Sequence, residues 1–148
     1  MTLDRIEIIK PDDWHVHLRE GDMLEVVAKY TSRINHRAIV MPNLKIPITS
    51  SNQCLEYKKK IMDLNNGLNF LPLIPCYLNE KINLEDFRQS LINNIFVGAK
   101  LYPRSVTTNS NYGISNIEKI FQMLDILQET HKPLLIHGEK LADNIDLF

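Results

Sequence analysis

The sequence has little cysteine, little glycine and no excess of charge of one sign. Only Cys54 and Cys76 occur among 148 residues, so a disulfide framework is not expected. No charged segment followed by an apolar one opens the chain, and both features favour a cytosolic, that is cytoplasmic, location. With 17 basic and 18 acidic residues, the chain has no basic field for a phosphate backbone, and nucleic acid is not expected as a partner.

Long hydrophobic runs are lacking as well. The longest, at 70–74 and 133–136, fall far short of the roughly 20 residues that a membrane span requires, so no membrane partner is expected. Hydrophobic residues make up 44% of the chain and charged residues 24%, which is the range of globular proteins. We therefore expect residues 1–148 to belong to a single packed domain.

Short apolar runs alternate with longer amphipathic stretches, an order typical of a parallel α/β fold. The spacing of about 30 residues per β/α unit is that of a (β/α)8 barrel, which needs about 250 residues, so this chain would hold about five of eight units. A doubly wound sheet of five strands also fits the length, but the first βα turn at 19–22 lacks a glycine-rich phosphate loop. The five predicted strands are 13–18, 38–41, 70–76, 96–102 and 134–137.

Four amphipathic stretches between these runs are predicted helices. Asp22 is the expected N-cap of the first, Ser51 opens the second and Asn83 precedes the third. The fourth starts with an expected capping box from Ser115 to Glu118 and ends before Pro133. Their expected core residues include Met23, Leu24, Val26, Val27 and Tyr30 in the first helix, Leu55, Ile61 and Met62 in the second, Leu84, Phe87 and Leu91 in the third, and Ile117, Ile120, Phe121, Leu124 and Leu127 in the fourth.

His15 and His17 lie two residues apart in the first predicted strand, so alternation puts both imidazoles on one face. Two adjacent imidazoles can bind one side of a metal ion. The alternative is a pair of polar residues on a solvated edge strand. Their place near the carboxyl end of the strand, where parallel α/β proteins bind ligands, favours the metal site.

Lys100 interrupts an apolar strand, and His137 ends another. Burial lowers the pKa of a lysine, and a neutral amine can react with carbon dioxide to form a negatively charged carbamate. Taken alone, Lys100 would be read as a lysine that reaches solvent, and His137 as a core histidine. Because three strands end in candidate ligands, a metal site becomes the favoured interpretation.

Asn43 closes the second predicted strand at the same rim, where its amide could orient a carboxylate or carbonyl, or simply form a turn. The most polar loop, 104–113, follows the fourth predicted strand.

These residues fall in segments that resemble the bacterial dihydroorotases of the shorter, single-function type, within the amidohydrolase superfamily. The segment at 11–19, with His15, His17 and Arg19, is similar to the opening motif of that family. The segments at 38–44, 98–103, 107–110 and 133–139 resemble the family in order and spacing, so the similarity covers essentially the whole chain.

The resemblance implies a (β/α)8 barrel with two zinc ions. His15 and His17 would ligate one ion, His137 the other, and Lys100, as a carbamate, would bridge both. A complete enzyme of this family would be a homodimer.

The resemblance also implies a small anionic substrate. Arg19 and Asn43 would hold its carboxylate, and Thr107 and Thr108 would lie on a mobile loop that closes over it. The implied reaction is the reversible cyclisation of N-carbamoyl-L-aspartate to dihydroorotate, a step of pyrimidine synthesis.

The sequence departs from the family in length, since those proteins are more than twice as long. In the family a sixth strand supplies another histidine and an eighth an aspartate that is both ligand and general acid/base. Asp143 and Asp146 match neither by motif, so we expect the catalytic aspartate to lie beyond Phe148.

We therefore expect an N-terminal portion of a dihydroorotase, an incomplete barrel with no catalytic acid/base of its own and inactive when isolated. One alternative is a non-catalytic homologue that binds metal or a partner. The other is a cyclic amidohydrolase for hydantoin-like rings, which Arg19 disfavours because a fixed cation suits an anionic substrate.

Overall fold

We describe a computed structural model of the chain, which covers residues 5–65 and 67–139. The strands are β1 (Asp12–Val16), β2 (Arg37–Val40), β3 (Leu71–Leu73), β4 (Cys76–Tyr77), β5 (Ala99–Leu101) and β6 (Leu134–Ile136). They form two parallel sheets, with the orders β1-β2-β3 and β4-β5-β6. Every crossover between neighbouring strands of one sheet carries a helix, as parallel pairing requires.

The third predicted strand, 70–76, is divided in the structure, so six strands replace the expected five. Residues of β3 pair with β2, whereas Ile74 and Cys76 already bond to the chain leading into β5, through Val97 N to Ile74 O at 3.2 Å and Cys76 N to Gly98 O at 2.9 Å. Pro75 lies between them and has no amide hydrogen, so the ladder is interrupted there. The strand order therefore continues from one sheet to the next, because β3 and β4 are successive parts of one chain segment.

The helices are α1 (Gly21–Ile34), α2 (Ser51–Leu64), α3 (Leu84–Ile92) and α4 (Phe121–Glu129), the last preceded by a 3₁₀ helix at Ile117–Ile120. Asn83 precedes α3 as predicted, and the structure shows that it is also the N-cap, because its side chain accepts from the amides of Glu85 and Asp86. None of the helices in the described ranges is long and apolar enough to cross a membrane.

The predicted starts of the other helices are partly right. Ser51 opens α2 as predicted, behind a capping box in which Ser50 is paired with Gln53. Gly21, at a φ of +58°, turns the chain before Asp22, so Asp22 lies in the first turn of α1 and does not cap it.

The expected capping box from Ser115 to Glu118 is wrong in detail. Asn116 caps the 3₁₀ helix, because its side chain accepts from the Glu118 amide, whereas Ser115 bonds to Glu80 instead. The sequence pattern places the start of this helical segment within a residue but assigns the cap to the wrong side chain.

The helices pack in chain order, α1 beside α2, α2 beside α3 and α3 beside α4, and bury one face each against the sheets. The buried face of α1 differs from the predicted one, since Met23, Val26 and Tyr30 are more than half exposed. Leu55 and Met62 of α2, and Ile117 and Phe121 near α4, are exposed as well. The residues that do face the core are Leu24, Ala28 and Thr31 in α1, Cys54, Tyr57 and Ile61 in α2, Phe87 and Leu91 in α3, and Met123, Ile126 and Leu127 in α4.

Candidate functional site

The predicted ligands lie on three strands, within a residue or two of the carboxyl end of each. His15 is in β1 and His17 follows it by one residue, Lys100 is the middle residue of β5, and His137 follows β6 directly. Because all the strands of each sheet are parallel, these carboxyl ends lie along one rim. The strands therefore bring the predicted positions to the same side of the fold.

A β-bulge interrupts the pairing of β1 with β2 between Asp13 and Val16, at the position of His15. Bulges of this kind redirect a side chain next to a functional site. The rings of His15 and His17 have centroids 5.3 Å apart and are tilted by 49°. His15 is exposed and His17 is half-buried, so the pair faces an open space at the rim.

The four predicted ligands are close enough to influence one another electrostatically. The pKa of His15 is lowered by burial first and then by Lys100, against an opposing effect of the Asp13 carboxylate and with a smaller contribution from His137. The pKa of His17 is lowered by burial first, then by Arg19, His15 and Lys100. Both imidazoles are therefore held toward the neutral form, which is the form that binds a metal ion.

Lys100 is only 2% exposed, and burial lowers the pKa of its amine. Within the described ranges its ammonium has no carboxylate partner, and its Nζ lies 5.1 Å from the centre of the Tyr102 ring. The expectation that Lys100 is buried is met, and the alternative of a lysine that reaches solvent is not. A buried, unpaired amine of lowered pKa suits carbamate formation.

Asn43 is 2% exposed, and its side-chain amide hydrogen-bonds both to His17, after β1, and to the loop at 104–113. Its Oδ1 lies 2.9 Å from Nδ1 of His17, an arrangement in which the ring N–H donates to the amide oxygen. Its Nδ2 donates to the carbonyl of Thr108 at 2.9 Å. The first contact leaves Nε2 of His17 free for a cation, as hydrogen-bond acceptors to the other ring nitrogen of metal-binding histidines do.

Arg19 lies beside the imidazole pair in a left-handed conformation, with a φ of +63°. A non-glycine residue in this region stores strain of about 1 kcal/mol or more and is common at binding sites. The hydroxyl of Tyr57 holds the backbone by donating to the Arg19 carbonyl at 2.8 Å. The NH1 atom of Arg19 is buried and, among the described residues, has no hydrogen-bond partner.

A groove of about 460 Å³ runs past Arg19 to the loop at 104–113. The groove is lined by charged residues of both signs, by apolar residues and by the loop, namely Arg19, Glu20, Met23, Leu44, Lys45, Thr108 and Asn109. Of the two predicted loop threonines, Thr108 lines this groove, and Thr107 precedes it with its backbone carbonyl accepting from the Ser110 hydroxyl at 2.6 Å.

His137 is half-buried, and its Nε2 lies 3.1 Å from the Glu139 carboxylate. Its ring is 5.8 Å from that of Tyr102, which in turn stacks on Tyr77 at 5.1 Å. The Tyr102 hydroxyl is buried and has no partner within the described part of the chain. The alternation of β5 indicates that Tyr102 shares the face of Lys100, but the sequence gives no sign of the Tyr77 contact.

The donor set fits a metal centre only if Lys100 takes part. Counting histidine, cysteine, aspartate and glutamate alone, residues 5–65 and 67–139 contain no group of three that could hold a metal ion. Two imidazoles with a neighbouring carbamate would supply such a group, and His137 would supply a further nitrogen.

The acidic residues near the carboxyl end of the sequence are not placed by the structure. Asp143 and Asp146 lie outside the described residues, and so does Phe148. The expectation that the catalytic aspartate lies beyond Phe148, with no catalytic residue within the chain, therefore stays a prediction.

Comparison with solved structures shows which class of protein this fold resembles. The fold matches a dihydroorotase from Campylobacter jejuni with a TM-score of 0.81 and 34% identity, over 88% of this chain and 38% of that one. A dihydroorotase from Saccharomyces cerevisiae, in complex with 5-fluoroorotic acid, matches with a TM-score of 0.81 and 33% identity over 92% and 38%. An L-hydantoinase from Arthrobacter aurescens shares the fold alone, at 17% identity and a TM-score of 0.66. The predicted incomplete (β/α)8 barrel of amidohydrolase type is confirmed.

Comparison of sequences defines the relatives more closely. The chain is 48% identical to a dihydroorotase of Buchnera aphidicola over 147 residues, 99% of this chain and 42% of that protein. It is 43% identical to a dihydroorotase of Salmonella arizonae over 144 residues, 97% of this chain and 41% of that protein. No protein-family model matches the chain. The chain is homologous to the N-terminal portion of dihydroorotases, as predicted, and spans about two-fifths of their length.

Proposed function

We propose that this chain carries the first part of a zinc-dependent dihydroorotase site, and that the reaction is the reversible cyclisation of N-carbamoyl-L-aspartate to dihydroorotate in pyrimidine synthesis. The observation that carries the proposal is the convergence of two imidazoles, 5.3 Å apart, and a buried lysine without a carboxylate partner among the described residues, beside Arg19 at the rim of a dihydroorotase-like fold. Both cysteines are free thiols, in keeping with a reducing cytoplasm.

His15 and His17 would hold one zinc ion, His137 the other, and Lys100 both. Carbamate formation at Lys100 is an addition in two steps. The ammonium first loses one proton to solvent, and the lone pair of the neutral amine then attacks carbon dioxide. A nitrogen–carbon bond forms as one C=O π pair moves onto oxygen, and a second proton is released from the nitrogen. The product is an anion, so a costly buried cation is replaced by a ligand of the right charge. When bound, the two ions would supply Lewis-acid activation of water and of the amide carbonyl.

Arg19 would bind the substrate carboxylate. Its guanidinium offers a bidentate fork, and its buried NH1 atom lacks a partner among the described residues, so a carboxylate oxygen would satisfy it. Asn43 retains one amide hydrogen beyond the one given to Thr108, which could reach the same anion. Thr107 and Thr108, on the loop at 104–113, would cover the groove and exclude water. The other residues of the centre, a homodimer and turnover would belong to a complete enzyme.

Zinc binding measured with and without carbon dioxide tests the metal site. Because the described residues form a group of three ligands only with a carbamate, the 148-residue chain should bind zinc tightly in bicarbonate buffer and at least about 100-fold more weakly in carbon-dioxide-free buffer. Zinc bound equally in both buffers would contradict a role for Lys100. Absence of zinc from both, together with stable capture of a partner, would favour the non-catalytic alternative.

The substrate class is tested by Arg19→Met. Dihydroorotate, which carries a carboxylate, should bind about 10- to 100-fold more weakly to this variant, because a charged hydrogen-bonding partner is lost. Dihydrouracil, the same ring without the carboxylate, should bind both proteins equally weakly. Arg33→Met, in α1 with its guanidinium over Tyr30, is the matched control. Preference for the neutral ring would favour the hydantoin-like alternative.

A further inference from the structure

Asn43 has contacts that a substrate ligand would not need. Its single amide group joins the imidazole of His17, through Oδ1 at 2.9 Å, to the carbonyl of Thr108, through Nδ2 at 2.9 Å. Because the amide is planar and almost fully buried, its oxygen and nitrogen directions are fixed together. Whatever orients one end of Asn43 therefore orients the other.

The loop makes a second hydrogen bond to Asn43, from one of its own side chains. Asn109 donates from its Nδ2 to the backbone carbonyl of Asn43 at 2.9 Å, and its own carbonyl accepts from the Tyr77 hydroxyl at 3.3 Å. Asn109 adopts a φ of +55°, which asparagine tolerates better than most residues. The tip of the loop is thus fastened to residues that follow β2 and to β4, next to the predicted metal site.

The remainder of the loop is held together internally. The Ile114 amide donates to Tyr102 O at 2.8 Å and closes the base, and the fully buried Ser110 hydroxyl accepts from the Thr107 amide at 2.9 Å. A loop with its own hydrogen bonds can lift as a unit when its tip contacts break.

We propose that Asn43 is a positioning residue that couples closure of the loop at 104–113 to the orientation of the His17 imidazole. The two hydrogen bonds between Asn43 and the loop, one to Thr108 and one from Asn109, are called the latch below. The inference rests on the proposed function in taking His17 as a ligand. With the loop closed, the Thr108 carbonyl fixes the Asn43 amide so that its oxygen faces His17, and Nε2 is presented to the cation site. With the loop open, the amide can rotate and the imidazole loses its fixed direction.

Hydrogen exchange of residues 104–113 in the metal-free 148-residue chain tests the latch. Asn109→Gly removes the side-chain donor and accepts the positive φ, so exchange in the loop should become about fivefold faster for the one bond lost. Asn109→Asp, which keeps the size of the side chain but not the donor, should do the same. Asn111→Gly is the matched control, since Asn111 is exposed in the same loop and makes no side-chain hydrogen bond among the described residues. Equal exchange in Asn109→Gly and Asn111→Gly would overturn the latch.

The coupling is tested by nitrogen NMR of the neutral His17 ring, which distinguishes the two tautomers. The wild-type chain and Asn111→Gly should show the Nδ1-protonated form, Asn43→Leu should lose it, and Asn109→Gly should fall between them. Faster loop exchange in Asn109→Gly with an unchanged His17 spectrum would overturn the coupling.

Addition of zinc alone separates this inference from the proposed function. By reciprocity, zinc should slow loop exchange in the wild-type chain and in Asn111→Gly, but not in Asn109→Gly. If zinc binds and slows the loop of no variant, the coupling is wrong although the metal site is real. If zinc does not bind the wild-type chain, the proposed function fails, and the metal-free exchange and tautomer measurements still decide the latch.

Discussion

The two sheets present their candidate ligands in opposite ways. The β1-β2-β3 sheet offers His15 and His17 from an edge strand with a bulge, where His15 is exposed. The β4-β5-β6 sheet offers Lys100 from its central strand, where the side chain is 2% exposed. The half-buried His17 imidazole gains direction from Asn43, whereas the buried Lys100 amine is held by the packing around it. Substitutions should therefore affect stability in the second sheet and mainly binding in the first.

The largest effect is expected from Gly98→Ala, which breaks the second sheet. A Cβ at Gly98 would lie 2.4 Å from the Pro133 carbonyl, which cannot move away because it accepts from the Ala99 amide at 3.0 Å. The free energy of unfolding, measured with denaturant, should fall by about 3 kcal/mol. Gly138→Ala, whose Cβ would have no neighbour within 4 Å, is the control and should change it by less than about 0.5 kcal/mol. A small change in the free energy of unfolding for Gly98→Ala would show that β5 and β6 can move apart at little cost.

Lys100→Met should separate stability from binding. Methionine fills a similar volume without a charge, so metal-free stability should rise by about 1 to 2 kcal/mol, while carbon-dioxide-dependent zinc binding is lost. Calorimetric unfolding and zinc titration on the same samples measure both. Lys60→Met, at an exposed position of α2, should change neither. A destabilised Lys100→Met chain would mean that the ammonium has a stabilising partner.

Glu80→Gln tests the pH dependence of a hydrogen-bonded carboxylate at the base of the loop at 104–113. The Glu80 carboxylate accepts from Ser115 and Lys119, and these contacts, Ser115 first, lower its pKa to about 2 from 4.5. A lowered folded-state pKa means that the stabilisation is present above pH 4.5 and is lost as the pH falls toward 2.

The wild-type unfolding midpoint should therefore decline across that pH window, and Glu80→Gln should decline less. Glu25→Gln, an exposed carboxylate of α1, should keep the wild-type acid sensitivity. Parallel curves for all three proteins would contradict the assignment.

The smallest stability effect is expected from His15→Ala in the first sheet. Because His15 is exposed, unfolding should change by less than about 0.5 kcal/mol. Zinc affinity should nevertheless fall at least about 100-fold, since even the loss of a group that only hydrogen-bonds to a metal ligand costs about 10- to 100-fold. A stability loss as large as that of Gly98→Ala would remove the distinction between the two sheets.

The sequence allowed the rim to be predicted because its signals are local. A histidine, a lysine and an asparagine at the ends of apolar runs point to strand ends, and parallel order brings such ends together. The helix faces were less predictable: Met23, Val26 and Tyr30 satisfy helical spacing, but the register against the sheet rotates them outward. The split at Pro75 was missed because an apolar run does not show which neighbour each residue pairs with.

What the sequence determined by itself is the order of elements, the identity of the rim residues and, through whole segments, the dihydroorotase resemblance. Periodicity, caps and strand ends depend on a few neighbouring residues, so they can be recognised in the sequence alone. Only the tertiary structure decided that Asn43 joins His17 to a loop residue 65 positions away, that Arg19 lines a groove, and that Lys100 has no counter-charge within the described residues. These features depend on which side chains meet across the fold, and sequence spacing carries no record of such distances.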